Sequence, residues 1–260
     1  MSKLEMTGIS DPGVARERNE DAYMLLADKG IAILADGMGG HLAGEVASAM
    51  AVDIIARHLH ATLCQAPATA TDDDAAPPEV GALHAAIQLA NQAIFEASHS
   101  KPEFNGMGTT VVVAVFQSNV LTVAHVGDSR LYRFRAGVLQ QITEDHSMVQ
   151  ELLKRGLITP EEARTSANKN LVTRALGVDP SVTADITIQT FLKDDLYLLC
   201  SDGLSDVLAD SDIERVMQQY GKNPQETSQL MVKEVNARGG PDNVTVVLVR
   251  TGKRFNRPKK

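Results

Sequence analysis

The sequence predicts an α+β fold of layered antiparallel sheets, and three observations lead to it. Short β-branched segments come in runs bounded by Gly, Asp or Asn. Neighbouring segments lie two to four residues apart, which suits hairpins and not the long crossovers of parallel sheets. Helical patterns are grouped away from these runs. The chain has 260 residues, 43% of them apolar, which is enough for a substantial core and too apolar for wholesale disorder.

In chain order, strands are expected at residues 22–27, 30–36, 109–116, 120–128, 131–134, 184–191, 195–202 and 243–250. Val46, Met50 and Ile54 recur every four residues, as do Ile55, Leu59 and Leu63, so a helix with a broad apolar stripe follows the second strand. Residues 80–98 and 224–237 have the same character. The Pro/Ala/Thr-rich run 65–79 with its three aspartates reads as a solvated loop. A second insert spans about 145–180, where "SMVQ" (147–150) and "TPEE" (159–162) have the form of capping boxes and predict two short helices and a loop. Residues 1–252 are expected to form one domain, with 253–260, "KRFNRPKK", a solvated basic tail.

Composition excludes several functions. The chain has no Trp, 4% aromatic residues and a net charge of −8, which disfavours nucleic-acid binding. Cys64 and Cys200 form no CxxC or metal-type spacing. Glu5 and Asp11 interrupt any signal-like start and no apolar run reaches the ~18 residues of a membrane span, so a cytosolic protein without membrane contact is expected.

Chemistry is concentrated where strands end. "AILADG" ends at Asp36-Gly37 and "YLLCSDG" at Asp202-Gly203. Either one alone reads as a turn. Glu20 and Asp21 stand at the first strand, Asp128 follows "VAHVG", and Asp242 precedes the last strand. Antiparallel strands can bring all of these ends to one edge, where so many carboxylates repel unless protons or cations neutralise them. Oxygen donors without clustered Cys or His suit Mg²⁺ or Mn²⁺. Two such ions about 3.5–4 Å apart can share a water aligned for in-line attack on phosphorus. Gly37, lacking a side chain, lets its carbonyl approach an ion.

"RERNED" (16–21), "ADGMGG" (35–40), "GTT" (108–110), "VGDSR" (126–130), "LVTRALG" (171–177), "CSDGLSD" (200–206) and "GGPDNVT" (239–245) resemble, in order, the motifs of the bacterial branch of the metal-dependent protein phosphatases of type 2C, over about residues 7–250. The resemblance implies a four-layer α-β-β-α sandwich of two antiparallel sheets, with residues 145–180 as a flap. It implies that Asp36 bridges two Mn²⁺ or Mg²⁺ ions, that the Gly37 carbonyl binds one and that Asp202 and Asp242 bind the other. Glu20 and Asp21 would act through water, Asp128 with Asp202 would form a weaker third metal site, and Arg16 would hold the phosphate.

The implied activity is hydrolysis of phosphoserine and phosphothreonine in proteins by direct water attack, reversing a bacterial Ser/Thr kinase, by a monomeric enzyme. One departure stands out. Eukaryotic relatives often carry a histidine directly after the Asp-Gly; here Met38 takes that place, and His41 is the nearby candidate for the acid. Arg130 and Arg174 read as structural partners of carboxylates. A nucleotide-binding turn is disfavoured because Leu42 stands where GxGxxG needs glycine. A cysteine phosphatase is disfavoured because "SDGLSD" after Cys200 lacks a phosphate-cradling arginine loop. A catalytically silent phosphoprotein-binding module of the same fold and a small-phosphoester hydrolase remain as alternatives.

Overall fold

The computed structural model describes residues 4–39, 42–63, 77–166, 168 and 170–256. The chain runs through β1 (Glu5–Asp11), β2 (Asp21–Leu26), β3 (Ile31–Met38), α1 (Ala43–Leu63), α2 (Pro78–Ser100), a 3₁₀ turn at Pro102–Phe104, β4 (Gly108–Thr109), β5 (Val111–Gln117), β6 (Val120–Val126), β7 (Arg130–Arg135) and β8 (Val138–Gln141). It continues through α3 (Met148–Lys154), α4 (Pro160–Thr165), β9 (Asp185–Thr190), β10 (Leu196–Cys200), α5 (Asp202–Ser205), α6 (Asp210–Tyr220), α7 (Pro224–Ala237) and β11 (Val244–Arg250).

Two antiparallel sheets result. One has the order β1-β11-β10-β7-β8; the other has β2-β3-β5-β6-β9, with β4 paired to the end of β3. Successive residues of a strand face opposite sides, so Leu34, Val112 and Phe116 meet Tyr197, Leu199 and Val247 between the sheets. Their neighbours Ile33, Val113 and Val115 pack outward on Ile55, Leu59 and Ile87 of α1 and α2. On the far side, Leu198, Val246 and Leu248 cover α6 and α7 through Val216, Met217 and Met231. The layers are therefore α-β-β-α. Burial on both faces explains why the central strands read as unbroken apolar runs and not as alternating ones.

Strands β1 and β8 and helix α6 were not expected from the sequence. β1 and β8 are sheet edges, polar and only partly buried, so neither carries a strong apolar signal. In α6 Ile213, Val216 and Met217 stand at i, i+3 and i+4 and form a buried stripe that the sequence does carry, on a helix whose other positions are mostly charged or polar. The insert does contain two short helices: Thr159 and Glu162 close a reciprocal capping box on α4, whereas Ser147 caps α3 through the Gln150 N–H while the Gln150 side chain turns to Glu144. The run expected to be a solvated tail is corrected at Phe255, which is buried against the inter-sheet core with its N–H donating to Ser118 O at 2.8 Å. An aromatic ring among lysines and arginines still gains from burial. Most of the 65–79 loop, and residues 257–260 of the tail, lie outside the described residues.

Candidate active site

The two sheets expose one common rim, and strand register builds it. Asp21 faces Asp36 across the β2–β3 pair, and Leu34 faces Val112 across β3–β5. Beyond that pair, the Thr110 N–H donates to Asp36 O at 2.8 Å and the Asp36 N–H to Thr110 Oγ1 at 3.1 Å. Val111 faces Val126 in β6, so Asp128 leaves the sheet beside the same threonine, where Ser129 Oγ lies 2.7 Å from Thr110 Oγ1. In the other sheet Cys200 faces Val246, so the chain departs toward Asp202 where it arrives from Asp242. Only glycine fits after Asp202: a Cβ on Gly203 would collide with Asn243 O, and one on Gly37 with Gly44 O.

Asp36, Asp202, Asp242, Asp128 and Asp21 thus converge, with Glu20 beside them. Asp36 and Asp202 are only partly covered, so the cluster is open to ligands. Burial, then mutual repulsion, holds the Asp36 and Asp202 carboxyls well above the ordinary carboxylate range; Asp36 feels Asp21 first and Asp202 feels Asp128 first. Burial pushes Asp21 up to about 6 even though Thr245 and Ser201 hydroxyls donate to its Oδ2 at 2.7 and 2.8 Å. Burial, with Asp145 nearby, likewise raises Asp128 to about 6. Glu20 is raised by burial and partly restored by Arg16.

These donors suit hard divalent cations. They are all oxygens, their repulsion is met by a single ion pair among the described residues, and Asp21 Oδ1 is buried without a hydrogen-bond partner. Arg16 lies on the rim in the loop between β1 and β2, its side chain 55% exposed and its Nη2 2.9 Å from Asp242 Oδ2. Arg130 is committed elsewhere, gripping Asp145 with Nε and Nη2 and reaching Tyr132 Oη with Nη1. Arg174 donates to Asp185 and to Thr183 O. His41 lies outside the described residues.

A second cluster invites a metal reading and does not support one. The ligating atoms of His125, His146 and Asp185 all lie within 4.8 Å of one another. His146 Nδ1, however, accepts the Gly127 N–H at 3.1 Å, which leaves the ring proton of the neutral imidazole on Nε2, toward Asp185 at 3.4 Å. The His125 ring stacks on it at 4.6 Å. Burial, followed by His125, lowers His146 to about 4; its Nδ1 lone pair is taken by the Gly127 N–H, and His125 Nε2 lies 2.7 Å from Glu144 O, so neither of those ring atoms offers a free lone pair. The His146 backbone instead ties the 145–180 insert to the rim: its N–H donates to Gly127 O, and its carbonyl accepts from Thr173 N.

Between the rim and the insert helices α3 and α4 lies a cavity of about 390 Å³, lined among others by Asp128, Asp202, Asp206, Ser147 and Leu153. Cys200 is fully buried, and burial pushes its thiol up to about 12, so it offers no thiolate nucleophile. Residues 14–236 match the sequence pattern of the family described as Protein phosphatase 2C.

The chain belongs to the protein phosphatase 2C family. It is 39% identical over 243 residues to the serine/threonine phosphatase stp of Listeria monocytogenes serotype 4b, covering 92% of this chain and 93% of that one. It is 40% identical over 245 residues to the serine/threonine protein phosphatase PstP of Mycobacterium tuberculosis, covering 94% of this chain and 44% of that protein. The crystal structure of the PstP catalytic domain in complex with two manganese ions superposes with a TM-score of 0.82 at 37% identity, covering 97% of this chain and all of that one. In this protein phosphatase 2C, sequence reasoning had not singled out Thr110, Ser129, Ser201, Asn243 and Thr245. Each stands within a few residues of a rim aspartate or glycine in a motif, and that adjacency is the signal that could have found them.

Proposed function

We propose that this protein phosphatase 2C hydrolyses phosphoserine and phosphothreonine in proteins by direct attack of water. The observation that carries the reading is the rim of Asp36, Asp202, Asp242, Asp128 and Asp21, in which burial and mutual repulsion hold Asp36 and Asp202 well above the ordinary carboxylate range and Arg16 with Asp242 is the only ion pair these five make among the described residues. In this reading Asp36, the Gly37 carbonyl, Asp202 and Asp242 hold two Mn²⁺ or Mg²⁺ ions, and Asp128 with Asp202 holds a third more weakly. Such ions supply positive charge that acidifies a water and offsets charge on the phosphoryl oxygens.

The chain's own residues do the rest. Arg16 leaves part of its fork free of Asp242 and can grip phosphate oxygens. The unpartnered Asp21 Oδ1 can accept a hydrogen bond from a water in the rim and so orient it, with Glu20 beside it. The rim hydroxyl residues Ser201, Thr245, Thr110 and Ser129 are all buried, which supports water over a phosphoenzyme. A working monomer is part of the same proposal. No helix among the described residues is long and apolar enough to cross a membrane. A cytosolic enzyme acting against a Ser/Thr kinase also belongs to the proposal, in keeping with relatives named serine/threonine phosphatases. β1 pairing with β11 supports a single domain over 1–252 with the flap at 145–180.

The test is phosphate release from phosphoserine, phosphothreonine and phosphotyrosine peptides with Mn²⁺, Mg²⁺ or chelator. Metal-dependent release from the first two is expected. Full activity after exhaustive chelation, or release confined to phosphotyrosine, would overturn the reading.

A further inference from the structure

The loop that presents Arg16 runs from Pro12 to Glu20 and contains no helix or strand. The guanidinium does not hold this loop in place, since its bond is to the side chain of Asp242 alone among the described contacts, and it is more than half exposed. One buried carboxamide ties the loop together instead. Asn243, 6% exposed, donates from Nδ2 to Pro12 O at 3.0 Å and to Arg18 O at 2.7 Å, and its Oδ1 accepts the Glu20 N–H at 2.8 Å. Its own N–H donates to Asp242 Oδ1 at 2.9 Å, and Val14 and Ala15 N–H groups both reach Gly240 O on the same incoming segment.

The chemistry requires this residue type. Two donors and an acceptor must diverge from one short side chain, and the carboxamide uses both N–H groups and one lone pair for that. Facing two carbonyls on one side and an N–H on the other also fixes which atom is nitrogen. Aspartate would keep the acceptor for Glu20 and place an oxygen against two carbonyls; alanine would lose all three bonds. Pro12 and Arg18, on either side of Arg16, are thereby drawn to one point.

We propose that Asn243 is the positioning residue of the phosphate arginine: it closes the Pro12–Arg18 loop, aims Arg16 into the rim, and ties that aim to the metal-ligand candidate Asp242 next to it. It touches no substrate itself. The inference rests on Arg16 as the phosphate contact, and the experiment separates the two.

The wild type, Arg16→Ala, Asn243→Ala, Asn243→Asp and the two double variants are compared in saturating Mn²⁺. Readouts are the inhibition constant of inorganic phosphate, KM and kcat for an aryl phosphate, Mn²⁺ affinity by calorimetry, and the unfolding midpoint. Asn243→Ala should raise the phosphate constant and KM roughly 5- to 20-fold with kcat and Mn²⁺ affinity within about threefold. In the Arg16→Ala background the same substitution should change them less than about twofold, because two residues that act as a unit are not additive. Asn243→Asp keeps the Glu20 bond and serves if the alanine variant does not fold. Equal losses with and without Arg16, or a loss confined to Mn²⁺ affinity, would overturn the inference. If Arg16→Ala alone leaves phosphate binding unchanged, it is the phosphate role of Arg16 that fails.

Discussion

Strand β10 carries an aspartate beyond each end, and the two live in opposite surroundings. Asp195, before Leu196, is 2% exposed and fully matched: Arg135 Nε and Nη2 lie 2.8 and 2.6 Å from its two oxygens, and Leu192 N–H donates to Oδ2 at 2.7 Å. Asp202, beyond Cys200, faces Asp128, Asp206, Asp242 and Asp21, and burial with this repulsion drives its carboxyl well up. A matched acid contributes to the fold. An unmatched one destabilises the metal-free fold and is understood once positive charge from outside is included.

Substitution at the two ends should therefore separate stability from activity. The largest effect expected is at the unmatched end: Asp202→Asn should lower kcat/KM for a phosphopeptide by roughly 1,000-fold or more, in the range of losing a preorganised charge contact and a metal ligand. The same variant should be more stable than wild type in chelator. Loss of turnover accompanied by lower metal-free stability would dissolve the contrast.

At the matched end, Asp195→Ala leaves Arg135 without its fork partner. Because Arg135 retains solvent contact, the cost should be about 2–3 kcal/mol, less than a fully buried pair, seen as a lower denaturation midpoint with kcat/KM of the folded enzyme nearly unchanged. Arg16→Ala sharpens the comparison from the cation's side: losing a charge-assisted contact of about 1.5–3 kcal/mol should lower kcat/KM roughly 10- to 150-fold with Mn²⁺ affinity little altered. Normal kinetics would move the phosphate contact to another residue.

The smallest expected effect is in pH. Asp21 and Asp128 titrate near 6 in the folded protein and near 3.8 when unfolded. Between these values the folded state binds more protons, so metal-free stability should fall as pH rises from about 4 to 6, and Asp36 and Asp202, held well above the ordinary range, extend the fall to higher pH. His146, lowered to about 4 from 6.5, acts oppositely, costing stability as pH falls through that window. The rim contribution is isolated as the difference between chelated and Mn²⁺-loaded midpoints, which should widen from pH 5 to pH 7.5. A gap independent of pH would contradict it.

Much of this was legible in the sequence for physical reasons. Doubly buried strands such as β5 and β6 need long apolar runs, and antiparallel pairing puts strand ends together, so Asp36, Asp128, Asp202 and Asp242 could be gathered before any coordinates. Edges hide: β1 and β8 bury little and so carry no pattern. Contacts between the sheets hide as well. Asp21 belongs to one sheet and its partners Ser201 and Thr245 adjoin the other, a meeting that depends on how the layers stack and leaves no spacing along the chain. Asn243 escaped for a similar reason, since its three partners are backbone groups more than 220 residues away, 231 in the case of Pro12.

In the proposed reading the strand-end aspartates are a divalent-cation site. The most direct test is the thermal unfolding midpoint of wild type, Asp195→Ala and Asp202→Asn, each in chelator and in excess Mn²⁺. The account predicts that Mn²⁺ raises the wild-type and Asp195→Ala midpoints by similar amounts, whereas Asp202→Asn starts above wild type in chelator and gains little from the ion. An equal Mn²⁺ shift in all three proteins, or none in wild type, would contradict it.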